Sequence, residues 1–273
     1  MLSISLGPLA FPVAPLWLLG TLFATLALAR RLAGPAEGGR AETAVWWAAA
    51  AGLLAARAAH VAWQLPAYLA HPAEVLELRD GGWWAPAGAA GFALALAWHG
   101  RGRPVLRAAL AKAAAAGAAL WLVGQGVLFV ASGGLEDRRA PEVPLVSFPE
   151  GRAAPLPSLL DGRPAVVNLW ASWCGPCRAE MPVLAQAQRD NPGVRFLFVN
   201  QGEGPEAVRT YLQREGLALQ DVWLDTASRL GPAVGSRGLP TTLFLDAQGR
   251  RVDAHFGVIS AAALQARMQA LKP

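Results

Sequence analysis

The two cysteines of the chain, Cys174 and Cys177, are the residues whose type and spacing point most directly to chemistry. Gly175 and Pro176 separate them, and Trp173 precedes them. Two cysteines cannot form a framework of structural disulfides, so they are either a redox pair or half of a metal site. Zinc would need about four Cys or His ligands, and no histidine is near the pair in sequence. The residues therefore favour a redox pair, with no metal and no bound cofactor.

The cysteine pair is expected where a strand passes into a helix. The apolar run 165–170 predicts a strand covered on both faces, and residues 178–188 have helical composition. Unpaired N–H groups and the helix dipole can lower the pKa of a cysteine at a helix start from about 8.5 to about 7 or below. Cys174 is therefore the predicted nucleophile, and Cys177 would resolve the mixed disulfide.

Strand and helix patterns alternate through the rest of the C-terminal part. This alternation, closed by a hairpin and a helix, predicts an α/β fold with a mixed central sheet flanked by helices. The remaining strands are predicted at 194–200, 222–223, 241–246 and 252–256, and the remaining helices at 206–215 and 260–271.

The run from Asn168 to Pro182 resembles the membrane-tethered, thioredoxin-like disulfide reductases of the TlpA and ResA type. The resemblance covers about residues 145–273 and includes the runs 199–203 and 238–242. It implies a thioredoxin fold and a protein disulfide reductase that acts on disulfides of extracytoplasmic proteins, such as those prepared for cytochrome c assembly.

The resemblance also implies roles for single residues. Pro240 is expected to form a cis peptide bond against the cysteines, with Leu239 presenting its backbone to an extended substrate; an ordinary trans proline is the alternative. Asn168 stands where thioredoxins bury an Asp. Glu180, three residues after Cys177, is expected to assist proton transfer in its place, and an exposed helix glutamate is the alternative.

The direction of electron flow stays open at this point. Gly-Pro between the cysteines is typical of reducing thioredoxins, whose potential is about −270 mV, against about −120 mV for a strong periplasmic oxidant. A disulfide oxidase or isomerase would use the same residues. Since the chain has no further thiols, a separate membrane thiol reductase must supply electrons for the reduction of protein substrates.

The first 132 residues have the composition of an all-α membrane domain, in a chain that is 54% hydrophobic and 16% charged. About 20 apolar residues cross a bilayer core. About four such transmembrane helices are predicted, near residues 9–29, 44–70, 82–98 and 113–132.

Basic residues cluster in the first and third loops between these segments, which places those loops in the cytoplasm. The excess is therefore a topology signal, and we predict a lipid bilayer and no nucleic acid as partner. A membrane domain over 1–132, a Pro/Gly-rich linker over 133–155 and a thioredoxin-like domain over 156–273 follow. Four spans place the redox domain in the periplasm, on a bacterial inner membrane.

Parts of the first 130 residues resemble prolipoprotein diacylglyceryl transferase, namely 5–9, Ala56-Arg57 and 71–88. That family has a His-Gly-Gly motif where this chain has 85–88, so the resemblance implies a scaffold that has lost its catalytic groups. A lipoprotein diacylglyceryl transferase with an accessory redox domain is the alternative. Arg57 and His60, within one span, are functional candidates unless Arg57 extends toward the outer headgroups.

Overall fold

The computed structural model describes residues 3–6, 9–70, 72–77, 81–131, 139–236 and 238–271. The chain divides into two compact units. The helical unit comprises residues 13–65 and 82–131, and the sheet unit comprises 1–12, 66–81 and 132–273.

The N-terminal half is almost entirely helical. A short antiparallel hairpin, β1 (Ser3–Leu6) and β2 (Leu9–Pro12), comes first. It is followed by helices α1 (Val13–Trp63), α2 (Leu65–Ala70), α3 (Ala85–His99) and α4 (Pro104–Ala131), with a 3-10 turn at Pro72–Leu76.

Helix α1 is broken at Gly34, where φ is 72°, a left-handed conformation that other residues rarely adopt. The rings of Phe23 and Trp46 lie 6.2 Å apart. Along one straight helix their positions would be separated by about 35 Å. The two arms of α1, residues 13–33 and 35–63, therefore fold back on each other as a hairpin.

The four predicted spans are largely helical but are not four separate full-length helices, and residues 9–12 of the first form strand β2. By length and hydropathy, two of the described helices, α1 and α4, could cross a membrane. The first two predicted spans lie mostly in the arms of α1, and the second continues into α2. The third corresponds to α3, whose 15 residues extend about 22 Å, short of the roughly 30 Å of a bilayer core.

Small residues allow the helices of the helical unit to pack closely. A Cβ atom on Gly52 of α1 would lie only 2.9 Å from the carbonyl oxygen of Gly88 on α3. The buried cluster of this unit is correspondingly rich in alanine, including Ala29, Ala41, Ala44, Ala48 and Ala113. Close backbone approach, as in other bundles built on small residues, therefore holds these helices together.

Arg57 points into the helical unit instead of toward its surface. Its side chain is buried, with the residue only 7% exposed, and Nη1 donates to the carbonyl oxygen of Gly82 at 3.2 Å. A Cβ on Gly82 would lie 2.6 Å from both Arg57 Nη1 and His60 Cδ2. The expectation that Arg57 extends toward headgroups is thus wrong, because its guanidinium holds the backbone that precedes α3.

The sheet unit contains a mixed sheet, as predicted, but with seven strands instead of the five expected, in the order β4-β3-β7-β6-β5-β8-β9. Strands β5, β6 and β7 run parallel, whereas the other neighbours pair antiparallel. The strands are β3 (Pro144–Phe148), β4 (Ala153–Pro155), β5 (Ala165–Trp170), β6 (Arg195–Gln201), β7 (Val222–Asp225), β8 (Thr241–Leu245) and β9 (Arg251–Phe256). The helices are α5 (Gly175–Asp190), α6 (Pro205–Glu215), α7 (Leu230–Ala233) and α8 (Ala261–Gln269).

Strands β3 and β4 lie inside the segment 133–155 that the sequence assigns to a linker. Leu145 of β3 is fully buried in the core of the sheet unit, so the sheet extends upstream of the predicted domain start at 156. Prolines at strand ends are compatible with the edge of a sheet, and Pro144 and Pro155 pair there. The first part of the predicted linker, residues 133–138, lies outside the described residues.

Strand β5 lies inside the sheet, between β6 and β8, and all six of its residues are buried. Successive side chains point to opposite faces of a strand. Val166 and Trp170 accordingly belong to the core that also contains both cysteines, while Val167 and Leu169 belong to the core on the other face. The strand that leads to the cysteines is therefore fixed by packing on both sides.

Candidate functional site

Cys174 and Cys177 are joined by a disulfide at the start of α5. Strand β5 ends at Trp170, and four residues later the chain reaches Cys174, the N-cap of the helix. Cys174 Sγ accepts a hydrogen bond from the backbone N–H of Cys177 at 3.2 Å. This is the helix-start geometry expected from the sequence.

The start of α5 favours a negatively charged sulfur at Cys174. The first N–H groups of a helix have no partner within the helix, and one of them already donates to Cys174 Sγ. After reduction, the same N–H and the helix dipole would stabilise the thiolate relative to the thiol. Both cysteines are buried, so only a small part of Cys174 is open to a reaction partner.

Glu180, on the buried face of α5, and Asn168, on β5, form a buried hydrogen-bonded group. Asn168 Nδ2 donates to Glu180 Oε1 at 2.8 Å and to Thr242 Oγ1 at 3.0 Å, which links β5, α5 and β8. Glu180 Oε2 accepts from the backbone N–H of Ile259 at 2.9 Å. Glu180 is 1% exposed, so the alternative of an exposed helix glutamate is excluded.

Burial raises the pKa of Glu180 from 4.5 to about 7, because the charged carboxylate loses its hydration. The hydrogen bonds from Ile259 and Asn168 oppose this rise, since both favour the carboxylate. Glu180 lies three residues after Cys177, on the same side of α5. A carboxyl group that titrates near neutral pH therefore lies on the buried face of the cysteine helix.

The peptide bond between Leu239 and Pro240 is cis, as predicted from the resemblance. Pro240 is buried directly before β8, and its carbonyl oxygen accepts from Gly257 N at 3.0 Å. Leu239 is half-buried and packs against the core that contains both cysteines. The loop before β8 thus comes to the same part of the molecule as the start of α5.

Glu203 is a part of the site that we did not assign from the sequence. Its carboxylate accepts from the backbone N–H of Ser172 at 2.7 Å, from Ser172 Oγ and from Asn200 Nδ2 at 2.7 Å. It thereby ties the turn before Cys174 to the end of β6. The available signal was its place after β6, because neighbouring parallel strands end at the same edge of a sheet.

Trp173, immediately before Cys174, is 71% exposed. A large aromatic side chain in water next to a reactive sulfur offers apolar contact area to a protein that approaches the sulfur. Gly175 and Pro176 occupy the first two positions of α5. The predicted site residues before, between and after the cysteines are thus all placed around the start of this helix.

Comparison with known proteins agrees with this geometry. Residues 137–270 match the model of the Redoxin family. The chain is 35% identical over 118 residues to the thiol:disulfide interchange protein HelX of Rhodobacter capsulatus, a match that covers 42% of this chain and 65% of HelX. It is 30% identical over 116 residues to the thiol-disulfide oxidoreductase ResA of Bacillus subtilis, with 42% of this chain and 64% of ResA covered.

Among solved structures, the chain is similar to MTB DsbF in its mixed oxidized and reduced forms, with 27% identity, a TM-score of 0.44, and coverage of 48% of this chain and 96% of DsbF. The chain spans about two thirds of the length of HelX and ResA, 65% and 64%. With the mixed sheet, the helix-start disulfide and the Redoxin match, the C-terminal part of the chain is a thioredoxin-like domain with relatives named as thiol-disulfide oxidoreductases.

Proposed function

We propose that the chain is a membrane-anchored thiol–disulfide oxidoreductase that reduces disulfides of extracytoplasmic proteins. The observation that carries this proposal is the Cys174–Cys177 disulfide at the start of α5, above a buried carboxyl group that titrates near neutral pH. Relatives named as thiol-disulfide oxidoreductases support the same chemistry. Preparation of cytochrome c thiols is the substrate class that the sequence resemblance implies.

In the proposed reaction, the Cys174 thiolate attacks one sulfur of a substrate disulfide. The substrate S–S bond breaks, a mixed disulfide forms on Cys174, and the first substrate sulfur leaves and takes up a proton. Cys177 then loses its proton, and its sulfur attacks Cys174 Sγ. The second substrate thiol is released, so the substrate gains two electrons and two protons while the protein dithiol becomes a disulfide.

Glu180 is the proposed acceptor of the Cys177 proton. Asn168 occupies the buried β5 position and has no acidic group of its own, whereas Glu180 accepts its N–H and has a pKa of about 7. A base is most effective when its pKa is close to the working pH. Pro240 and Leu239 are proposed to present the loop before β8 to an extended substrate segment, and Trp173 to contact the substrate protein.

The helical unit is proposed to anchor the chain in a bacterial inner membrane. Two of the described helices are candidate spans, and large apolar side chains such as Leu54 and Val130 lie on the outside. With both arms of α1, the short helix α3 and helix α4 each taking the chain from one face of the membrane to the other, the basic loops would be cytoplasmic and the redox domain periplasmic. A separate membrane thiol reductase would then return electrons to the cysteine pair.

The experiment that tests the redox activity uses the purified full chain in detergent and follows the reduction of insulin disulfides by dithiothreitol. We expect catalysis by the unaltered chain and none by Cys174→Ser, while Cys177→Ala should accumulate a mixed disulfide on Cys174. Equal rates for the chain and for Cys174→Ser would overturn the proposal.

The direction of the reaction is decided by equilibrating the cysteine pair with glutathione buffers. We expect a reduction potential close to that of thioredoxin, about −270 mV. A potential above about −150 mV would favour a disulfide oxidase instead. Failure to transfer a diacylglyceryl group to a lipoprotein peptide would exclude the transferase alternative.

A further inference from the structure

The start of α8 is held by side chains from three different parts of the chain. Glu180 Oε2 accepts from Ile259 N at 2.9 Å. Glu74 accepts from the next two free amides, Ala261 N at 3.3 Å through Oε1 and Ala262 N at 2.8 Å through Oε2. Ser260 Oγ accepts from the N–H of residue 263 at 3.2 Å.

These contacts supply hydrogen-bond acceptors that the sequence around the start of α8 does not provide. The first N–H groups of a helix need partners from outside its own backbone ladder, and the Ser260 cap supplies one. Glu74 supplies two more from a segment almost 190 positions away in sequence. Its negative charge also lies at the favourable end of the helix dipole. Because α8 has nine residues, it depends on such contacts more than a long helix would.

Glu74 is itself held in place. It lies in the 3-10 turn Pro72–Leu76, where the backbone N–H of Glu77 donates to its carbonyl oxygen at 3.0 Å. Its two carboxylate oxygens bind two consecutive amides, which is a two-point contact that fixes the orientation of the α8 start.

We propose that Glu74 is a positioning residue for the thiol–disulfide reaction, since it fixes the turn 259–262 so that the Ile259 N–H stays directed at Glu180. The inference rests on the proposed function, in which Glu180 accepts the Cys177 proton. The segment around Glu74 belongs in sequence to the N-terminal half, so part of the active-site geometry is supplied by residues outside the thioredoxin-like domain.

Loosening of the turn 259–262 should change the pKa of Glu180 in a definite direction. The Ile259 N–H favours the carboxylate form of Glu180 and lowers its pKa, opposing the effect of burial. If the turn 259–262 loosens, this hydrogen bond lengthens and the pKa of Glu180 rises further. The reduction rate would then reach its plateau at higher pH.

Other groups on the elements packed around Glu180 do not reverse the expected rise in its pKa. Strands β5 and β8 contribute Asn168 and Thr242 to the Glu180 group, and neither carries a charge. On β9 and α8, Asp253 pairs with Arg267. His255 on β9 is within hydrogen-bond distance of a backbone carbonyl, and burial lowers its pKa, which favours the neutral imidazole. The cysteine thiols lie on the helix of Glu180 itself.

The test compares Glu74→Asp with Glu77→Asp in the full chain. Both substitutions keep the charge and remove one methylene, but Glu74→Asp cannot reach both amides. We expect Glu74→Asp to raise the midpoint of the pH–rate profile for insulin reduction by about 0.5 unit or more. Glu77→Asp should leave the midpoint unchanged.

A second pair keeps the test decisive if Glu74→Asp does not fold. Glu74→Gln and Glu77→Gln remove the same charge, so the difference between their midpoints reports the lost hydrogen bond, and we expect the Glu74→Gln midpoint to be the higher. A lower melting temperature with an unchanged midpoint in the Glu74 variants would overturn the proposal. Absence of insulin reduction in the unaltered chain would instead reject the proposed function.

Discussion

The helical unit and the sheet unit place their side chains in opposite ways. In the helical unit alanines such as Ala44 are buried, and large apolar residues such as Leu54, at 72% exposure, lie outside. In the sheet unit the large residues, Trp170 and Phe244 among them, are buried. An exposed leucine is therefore ordinary in the first unit, whereas an exposed large apolar residue in the described part of the second unit needs an explanation.

Within residues 139–271 of the sheet unit, two exceptions to this distribution of side chains lie close to the disulfide in sequence. Trp173 is large, apolar and exposed, while Glu180 is charged in water yet buried. Both lie within a few residues of the cysteines in sequence. Local violations of good packing are expected where function requires them. The comparison of the two units thus points to the same residues as the chemistry of the cysteine pair.

The largest effect is expected from substitution of Glu180, the buried residue of this pair. Glu180→Gln keeps the shape of the side chain but removes the proton acceptor, so we expect the rate of insulin reduction at pH 7 to fall about 100-fold. The pH dependence that the unaltered chain shows near pH 7 should also disappear. Stopped-flow reduction over pH 5–9 measures both. An unchanged profile in Glu180→Gln would mean that its burial serves packing alone.

The same substitution has a signature in stability. The folded-state pKa of Glu180 is raised to about 7 from 4.5, so between these values the unfolded chain binds fewer protons than the folded chain. The free energy of unfolding therefore falls as pH rises through this window, by about 3 kcal/mol in all. Glu180→Gln should remove this contribution, as denaturant unfolding at pH 4.5 and pH 7.5 would show.

A smaller effect is expected from substitution of Trp173, the exposed residue of this pair. If Trp173 contacts the substrate protein, Trp173→Ala should lower kcat/KM for insulin about fivefold, the loss of about 1 kcal/mol of contact. Reduction of a small disulfide such as oxidised glutathione should stay within about twofold, because it cannot reach the indole.

Val252 provides the matched control for Trp173. Among the described residues of 139–271 it is the other exposed large apolar residue, at 48%, and it lies on β9 instead of beside the cysteines. Val252→Ala should leave both substrates unaffected. Equal losses in the two variants would show that exposed apolar area, and not its position, affects the assay.

The elements that carry the cysteines could be predicted from sequence because their signals are local. A continuous apolar run defines β5, and the Cys-X-X-Cys motif marks the start of α5. Strands β3 and β4 were missed since their proline content is typical of a linker, and only pairing in the sheet shows them to be strands. The sequence pattern thus predicted the central elements of the thioredoxin-like part, but not the strands β3 and β4 at the edge of its sheet.

The site was predictable in its residues but not in its connections. Motif spacing identifies Cys174, and the family resemblance implies roles for Glu180 and Pro240, yet whether Glu180 is buried depends on which face of α5 packs inward. The contacts of Glu203 and Glu74 join segments distant in sequence, and no local pattern specifies them. Likewise, the break at residue 34 folds two predicted spans into one helical hairpin.

The smallest effects test whether the helical unit is packed on its small buried residues, with its large apolar residues outside. Ala44 is fully buried, so Ala44→Leu should overfill the contact between helices and lower the free energy of unfolding in detergent by about 1–3 kcal/mol. Leu54 is 72% exposed, so Leu54→Ala should change it by less than about 0.5 kcal/mol. In a water-soluble domain a leucine is normally buried, so the larger loss would come from its removal. The opposite order here, with unchanged insulin reduction in both variants, would show that the helical unit packs on its small residues independently of the redox site.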